Sequence, residues 1–403
     1  MIDVLTHLAN NHDNPYPRLD ELRREDPVHL TAAGFYLVTR HADVEKLLRE
    51  TGTAFLSPDR NEIERSFPAA VGHPTLELHL RSLLSRNPPE HRQLRRMVAR
   101  ALAARQDFAT EVSLLCDELL DAITDELRSG EAVDLNHRFS LPLSLRVLAK
   151  LMGVQDRDRD WLAEAVNAII PAFDGVSEQR LAAADRDTVR LMDYFGQSLV
   201  ERGVTGRADL IGELVSSRGE FEDIDLVAVL WGLWTGGFLP VSAALNHAVR
   251  AMVAYPDRTT WLGGDEHRAL AFTDEVLRHD GIVMFTAPPR IAVHDVTFGD
   301  RTVPAGAEVR GVLAAANRDP AAFSDPDTFR PGRDNHHSLA FSAGPHHCPA
   351  SGIARLEVST ALSELHQRFP TLTIAEPPTW VASSRVSTID SLRVRLKAHP
   401  SHD

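Results

Sequence analysis

A mainly α-helical chain with a small β region, folded as one large domain over residues 1–403, is what three observations predict. Apolar residues recur with a period near 3.6 through most of the length. Strand-like runs are short and few, and they gather toward the two ends. No linker, internal repeat or low-complexity tract divides the chain.

Taken in order, Pro17–Glu25 and Ala42–Glu50 read as helices, with strands at Val28–Leu30 and Phe35–Thr39 between them. Residues between Pro58 and Arg86 show no firm pattern and are expected to form a lid over a pocket. Helical periodicity then covers Pro89–Ala103, Phe108–Ser129, Leu141–Met152, Arg157–Ile170, Ser177–Arg202 and Ala208–Ser217. Asp223–Ala254 is apolar all round, as a buried core helix is. Glu266–His279 and Ala350–Phe369 complete the helices. Strands are expected at Arg290–Ala292, Val296–Phe298, Val309–Leu313, Leu372–Ile374 and Arg393–Leu396.

Hydrophobic residues make up 43% of the 403, enough for a sizeable core. The formal net charge of −14 argues against a nucleic-acid grip. Two cysteines, Cys116 and Cys348, are too few for a disulfide framework, which fits a reducing cytoplasm. Cys116, inside VSLLCDELL, reads as a small core residue. The start MIDVLTHLANNHDNPYP has no basic segment followed by an apolar one, so no signal peptide or anchor is expected. The run from Leu226 is long enough to cross a bilayer, but Thr235, Gly236, Gly237, Pro240, Ser242, Asn246 and His247 favour a core helix.

Chemistry concentrates in FSAGPHHCPA, Phe341 to Ala350. A thiolate at Cys348, presented from a tight loop onto a helix start, suits an axial position on haem iron. Phe341 would cover the sulfur, Gly344 would let the backbone turn close to a flat cofactor, and His346 would donate to a propionate. Glu275 and Arg278 share a helix face, and an arginine from the segment Phe329-Arg330-Pro331-Gly332-Arg333 could close a buried network on the same carboxylate. After Pro88-Pro89, His91 and Arg95 stand one turn apart and suit a carboxylate-bearing ligand.

In this order and spacing the motifs resemble the cytochrome P-450 family, the haem-thiolate oxygenases, in its soluble bacterial branch. The likeness runs from about Asn14 to the C-terminus. Phe341, Gly344, His346 and Cys348 match the family's cysteine-loop pattern, and Glu275 and Arg278 match its E-x-x-R, with Arg333 as third member. His91 and Arg95 match a helix with two propionate contacts, and Arg290 an arginine that meets a propionate. Ala354, Arg355 and Glu357 match the start of the helix after the cysteine. The resemblance implies an all-α fold with a small β region, haem b with Cys348 as iron ligand, and electrons from NAD(P)H through a ferredoxin and its reductase. It implies a monomeric cytoplasmic monooxygenase acting on a small, largely apolar intermediate of secondary metabolism, by hydroxylation, desaturation or oxidative coupling. Arg92, Arg96, Arg100 and Arg355 could build a basic patch for the ferredoxin.

The chain departs from the family at the distal helix. Where the family carries an acid–threonine pair after its glycines, this chain has Gly236-Gly237-Phe238-Leu239-Pro240. The general acid for dioxygen cleavage is therefore missing. Pro240 has no N–H for the Gly236 carbonyl, so a kink is expected, with proton delivery at Gly236, Gly237 and Pro240 by water or substrate. A peroxide-using or non-oxygenating enzyme is the alternative, and a non-catalytic recruitment module a more distant one. Pro349 removes a possible N–H donor to the sulfur, and Ala350 stands in place of a family glycine. Phe238, Val283, Met284 and Phe285 are expected to face substrate; Trp231 and Trp234 read as core. His336, His337 and His347 read as loop residues rather than a metal cluster.

Overall fold

The computed structural model describes residues 6, 8, 11, 13–103, 108–173, 177–207, 209–383 and 385–397. Helices form where apolar stripes coincide with end signals. They are α1 Tyr16–Glu25, α2 His41–Arg49, α3 Arg60–Ser66, α4 Pro74–Arg81, α5 Glu90–Ala103, α6 Phe108–Arg128, α7 Leu141–Met152 and α8 Asp156–Ile169. The remainder are α9 Glu178–Thr205, α10 Leu210–Ser216, α11 Asp223–Gly237, α12 Leu239–Ala254, α13 Glu266–His279, α14 Leu313–Ala316 and α15 Ser351–Arg368. End signals are visible in the caps. The Ser177 hydroxyl accepts from Arg180 N–H at the start of α9, and Gly206 takes the left-handed turn at its end with φ of 62°. Ala208, where the α10 helix was expected to begin, lies outside the described residues; Asp209 caps that helix through Gly212 N–H.

The strands are β1 Val28–Leu30, β2 Tyr36–Val38, β3 Phe55–Leu56, β4 Val133–Asp134, β5 Arg290–Ala292, β6 Val296–Phe298, β7 Arg301–Val303 and β8 Glu308–Gly311. They continue as β9 Leu372–Ile374, β10 Thr379–Trp380, β11 Ile389–Ser391 and β12 Arg393–Leu396. One five-stranded sheet runs β1-β2-β8-β5-β3, with β2 and β8 parallel, and joins the N-terminal segment to residues 290–311. A second sheet runs β4-β12-β9. The fold is mainly helical with small sheets, as expected.

Three departures have physical causes. The expected strand Val309–Leu313 stops at Gly311, because Leu313 begins α14. The lid region is helical in α3 and α4, segments too short for a periodic signal. The expected single helix Asp223–Ala254 is two helices that meet at Phe238. Pro240 sits in the first turn of α12, where its missing N–H costs nothing. The break thus falls two residues before the proline. By length and composition the joined run could cross a membrane, yet 56% of its apolar window is buried inside the molecule. Trp231 and Trp234 belong to that core, and Trp234 Nε1 donates to the Leu162 carbonyl at 2.9 Å.

Candidate active site

Gly344 sets the shape of the cysteine loop. Its φ is 65°, and a Cβ there would lie 2.5 Å from the Leu48 carbonyl oxygen at the end of α2. The glycine therefore admits the backbone of α2, a tighter constraint than the approach to a flat cofactor expected from the sequence. Cys348 N–H donates to the Phe341 carbonyl at 2.9 Å and closes the loop. Arg355 lies 4.8 Å over the Phe341 ring and pairs with Asp274 at 2.6 Å. It is thus engaged within the fold, whereas Arg92, Arg96 and Arg100 are exposed on α5. Burial pushes the Cys348 thiol up, while the Ala350 N–H and the Arg95 and Arg355 guanidiniums favour the thiolate. Pro349 removes one donor, and Ala350 supplies the backbone N–H that reaches the sulfur.

Beneath the loop, Glu275 and Arg278 are fully buried on α13. Arg278 Nε and Nη2 each donate to the carboxylate at 2.9 Å, a bidentate pair. The Arg330 N–H at 2.8 Å, Arg333 Nε at 3.3 Å and Asn335 Nδ2 at 3.3 Å complete it. Despite its burial, Glu275 is held below the usual carboxylate range by these donors. Arg278 Nη1 continues to the carbonyls of Asn317 and Pro326, both at 2.9 Å. The network ties α13 to the segment leading into the cysteine loop.

His91, Arg95, Arg290 and His346 come together on the other side of that loop. The His91 and His346 rings lie 4.1 Å apart. Arg95 donates from Nη1 to the His347 carbonyl. Arg290, on β5, is 1% exposed and among the described residues bonds to neutral oxygens: Thr51 Oγ1 at 3.1 Å and the carbonyls of Pro288 and Pro289. Burial lowers its pKa to about 10. Burial and the neighbouring arginines lower His91 to about 4 and hold His346 neutral as well. His91 Nδ1 and Nε2 and His346 Nε2 are buried with no hydrogen-bond partner among the described residues. Such a cluster of donors without an acid fits a ligand with two carboxylates, as haem has, and Cys348 is the soft donor for its iron.

Distal to the loop, Gly236 is exposed on α11, and nothing lies within 4 Å of where its Cβ would be. Gly237 faces the other way, and its Cβ would meet Leu148 Cδ2 at 2.9 Å. Only the first glycine opens space. Three residues expected at the substrate are packed elsewhere. Phe238 is 2% exposed against Trp234, with ring centroids 6.0 Å apart. Met284 and Phe285 are buried with Leu19, Leu22 and Val312. A side chain lining open space would keep accessible surface, and these do not. Val283 is half-buried and bridges to Val386. The His336 and His337 rings lie 3.7 Å apart, with His336 also paired to Asp334 and the His337 carbonyl accepting from His41.

No local pattern marked the residues beside Trp231. His79 on α4 and Phe173 bring their rings within 4.7 Å of each other, and Phe173 lies 6.1 Å from Trp231. Arg385 donates to the Phe173 carbonyl, and its own carbonyl accepts from Met284 N–H at 2.8 Å. Residues from four distant segments meet here, so only the fold reveals them.

Comparison with known proteins agrees with this geometry. The family model described as Cytochrome P450 matches residues 270–387, which hold the Glu275 network and Cys348. Cytochrome P450 BJ-3 of Bradyrhizobium diazoefficiens is 38% identical over 99% of this chain and 97% of its own. Nocardicin C N-oxygenase of Nocardia uniformis subsp. tsuyamanensis is 29% identical over 90% of each. Among solved structures, P450BioI in complex with hexadec-9Z-enoic acid ligated acyl carrier protein superposes with a TM-score of 0.87 at 24% identity, covering 96% of this chain and 99% of that one. A likeness this long to BJ-3, joined to a cysteine loop braced by a buried Glu–Arg–Arg network, makes this chain a member of the cytochrome P450 family.

Proposed function

We propose that this enzyme oxidises a small, largely apolar intermediate of secondary metabolism with dioxygen, taking electrons from NAD(P)H through a ferredoxin and its reductase. It works as a cytoplasmic monomer. The observation that carries the reading is the Cys348 loop, with its sulfur backed by the Ala350 N–H and flanked by a cluster of acid-free donors. Haem bound there supplies dioxygen activation, which the thiolate strengthens by electron donation.

The chain's own residues have narrower tasks. His91, Arg95, Arg290 and His346 would hold the two propionates. Glu275, Arg278 and Arg333 brace the loop that carries the sulfur. Gly236, with nothing within 4 Å of where its Cβ would be, would leave room for substrate. Leu239 and Pro240 supply no acid, so protons reach the site through ordered water or a substrate hydroxyl beside Gly236 and Gly237. The exposed Arg92, Arg96 and Arg100 offer an acidic ferredoxin a basic face on α5. A name such as Nocardicin C N-oxygenase among the relatives supports tailoring chemistry.

One experiment tests this. The reduced protein under carbon monoxide should absorb near 450 nm, as the family's thiolate-ligated haem does, and the Cys348→Ser variant should not. Turnover is then driven either by NADPH, ferredoxin and reductase, or by hydrogen peroxide alone, in wild type and in a Leu239→Glu/Pro240→Thr variant. Product from the first system, with little peroxide released, supports the reading. Turnover with peroxide alone would replace it by a peroxygenase. A variant that couples much better to the same product would remove the proposed water or substrate route.

A further inference from the structure

We propose that His247, Asp280 and His279 form a proton-dependent latch that positions the loop around Ser387 against residues 282–284, so that the protonation of this cluster sets how firmly the enzyme holds its substrate. This rests on the oxygenase reading and adds a regulation of that site.

His247 stands on the core helix α12, two turns beyond Pro240 and on the same face. His279 ends α13, where a helix favours a cation, and Asp280 follows it. The two rings share one carboxylate. His247 Nδ1 lies 3.2 Å from Asp280 Oδ2, and His279 Nδ1 lies 2.6 Å from Asp280 Oδ1. With its other nitrogen each ring meets a backbone carbonyl, His247 Nε2 that of Ser387 at 3.1 Å and His279 Nε2 that of Asp327 at 3.2 Å.

Carbonyl oxygens only accept, so these four contacts need four protons. A carboxylate between two neutral imidazoles carries only two. Two imidazoliums on a carboxylate carry four, and so do an imidazolium, a neutral ring and a protonated acid. In either form the filled cluster has a single net positive charge. Burial opposes ionisation of Asp280, but the hydrogen bonds and charges of the two rings hold its carboxyl well below the usual carboxylate range. The surroundings carry other charges. Arg318 donates to the His279 carbonyl at 2.8 and 2.7 Å and pairs with Asp327 at 2.8 Å, and it lies 3.7 Å over the Tyr16 ring. The Tyr255 ring is edge-on to His279, and Trp380, with Arg250 over it, flanks His247. Asp280 keeps 18% of its side chain exposed, which gives protons a way in and out.

The latch reaches the substrate side through Ser387. Ser387 N–H donates to the Ile282 carbonyl and Met284 N–H to the Arg385 carbonyl, both at 2.8 Å, and Val283 bridges to Val386 between them. Val283 keeps accessible surface where Phe238, Met284 and Phe285 do not. When the cluster gives up a proton, one contact sets two lone pairs face to face. The bonds to the carboxylate are charge-assisted and the stronger, so an outward contact opens. Opening at Ser387 frees the carbonyl that holds the loop and loosens the Val283–Val386 border. A residue that does not titrate could satisfy the same carbonyl at every pH; histidine makes the hold conditional.

Two haem ligands that do not titrate test this on the ferric holoprotein, methyl isocyanide and cyclohexyl isocyanide, each read by its Soret shift. Only the larger one reaches the border, so the ratio of the two affinities cancels effects of pH at the iron. In wild type the preference for cyclohexyl isocyanide should fall about fivefold or more from about pH 5.5 to about pH 8.5. His247→Gln should hold the ratio near its acid value throughout, because the amide nitrogen carries two donors and does not titrate. His247→Leu should hold it near the alkaline value. Amide hydrogen exchange of a peptide spanning residues 385–392, corrected for the intrinsic effect of pH, should lose protection along with the ratio in wild type. A ratio that is constant or rises with pH, a pH dependence that survives in either variant, or unchanged protection overturns the proposal. The wild-type ratio and exchange decide it even if neither variant folds. A chain without the thiolate–haem spectrum would instead fail the oxygenase reading itself.

Discussion

The two sides of the haem site are built on opposite principles. On the cysteine side every charge is answered: Glu275 receives donors from Arg278, Arg333, Arg330 and Asn335, and Arg278 spends its remaining N–H on backbone carbonyls. On the other side of that loop, His91 Nδ1 and Nε2 and His346 Nε2 are buried with no hydrogen-bond partner among the described residues. The first pattern is a finished brace. The second is half of an interface whose other half is a ligand. The comparison teaches that a buried charge answered by several donors braces the fold, whereas ring nitrogens clustered without partners, as in His91 and His346, suit a ligand.

The sharpest way to break that contrast is to remove the brace. Glu275→Ala leaves Arg278 and Arg333 buried without their counter-charge, which costs about 3–5 kcal/mol. The urea midpoint should fall, and haem should fail to incorporate. Wild-type stability in this variant would mean that the carboxylate is not the keystone.

Glu357 is the proximal exception. It is buried on α15 near Ser144, and burial raises its pKa from 4.5 to about 7. Below pH about 4.5 folded and unfolded chains both carry this proton. Between about 4.5 and 7 only the folded chain does, so stability falls as pH rises, and the loss levels off above about 7. The full loss is about 3 kcal/mol. Glu357→Gln should flatten that slope and leave the protein more stable than wild type at pH 8, as read by denaturation at several pH values. An unchanged slope would mean that Glu357 ionises freely in the folded protein.

Arg290 should show the opposite sign to Glu275. Its guanidinium is desolvated without an acid, so Arg290→Leu should leave the apoprotein as stable as wild type or more so. On the proposed haem placement the same change removes a charge-assisted bond to a propionate, worth about 1.5–3 kcal/mol, or roughly tenfold to a hundredfold in haem affinity. Haem transfer to apomyoglobin, set beside apoprotein unfolding, separates the two effects. A destabilised apoprotein with unchanged haem release would make Arg290 structural.

How much of this was legible in the sequence follows the same divide. The cysteine loop, the Glu275–Arg278 pair with Arg333, and the His91–Arg95 spacing sit in short segments with local signatures, so their chemistry can be read along the chain. The long helices were legible because a stripe of 3.6-residue period over four or more turns outweighs local noise. The cluster around Trp231 was not legible. His79, Phe173, Trp231 and Arg385 come from four segments and touch only after folding. Position along the chain also misled at Phe238, Met284 and Phe285, because adjacency to a site does not say which way a side chain points.

The smallest expected effect isolates the point at which the two principles meet, the adjacent glycines of α11. Gly236 and Gly237 are identical in sequence terms and both end a helix, yet one opens outward and the other abuts Leu148. Gly237→Ala places a methyl against that leucine, which can yield only in part, so a loss of about 1 kcal/mol is expected. Gly236→Ala meets nothing and lowers the entropy of the unfolded chain, a gain of about 0.5–1 kcal/mol. Function should move the other way: the methyl at 236 intrudes on the substrate space and should weaken ligand-induced Soret shifts, while the one at 237 leaves them near wild type. If both substitutions changed stability and ligand binding alike, the two glycines would share one environment, and the chamber would not open at Gly236.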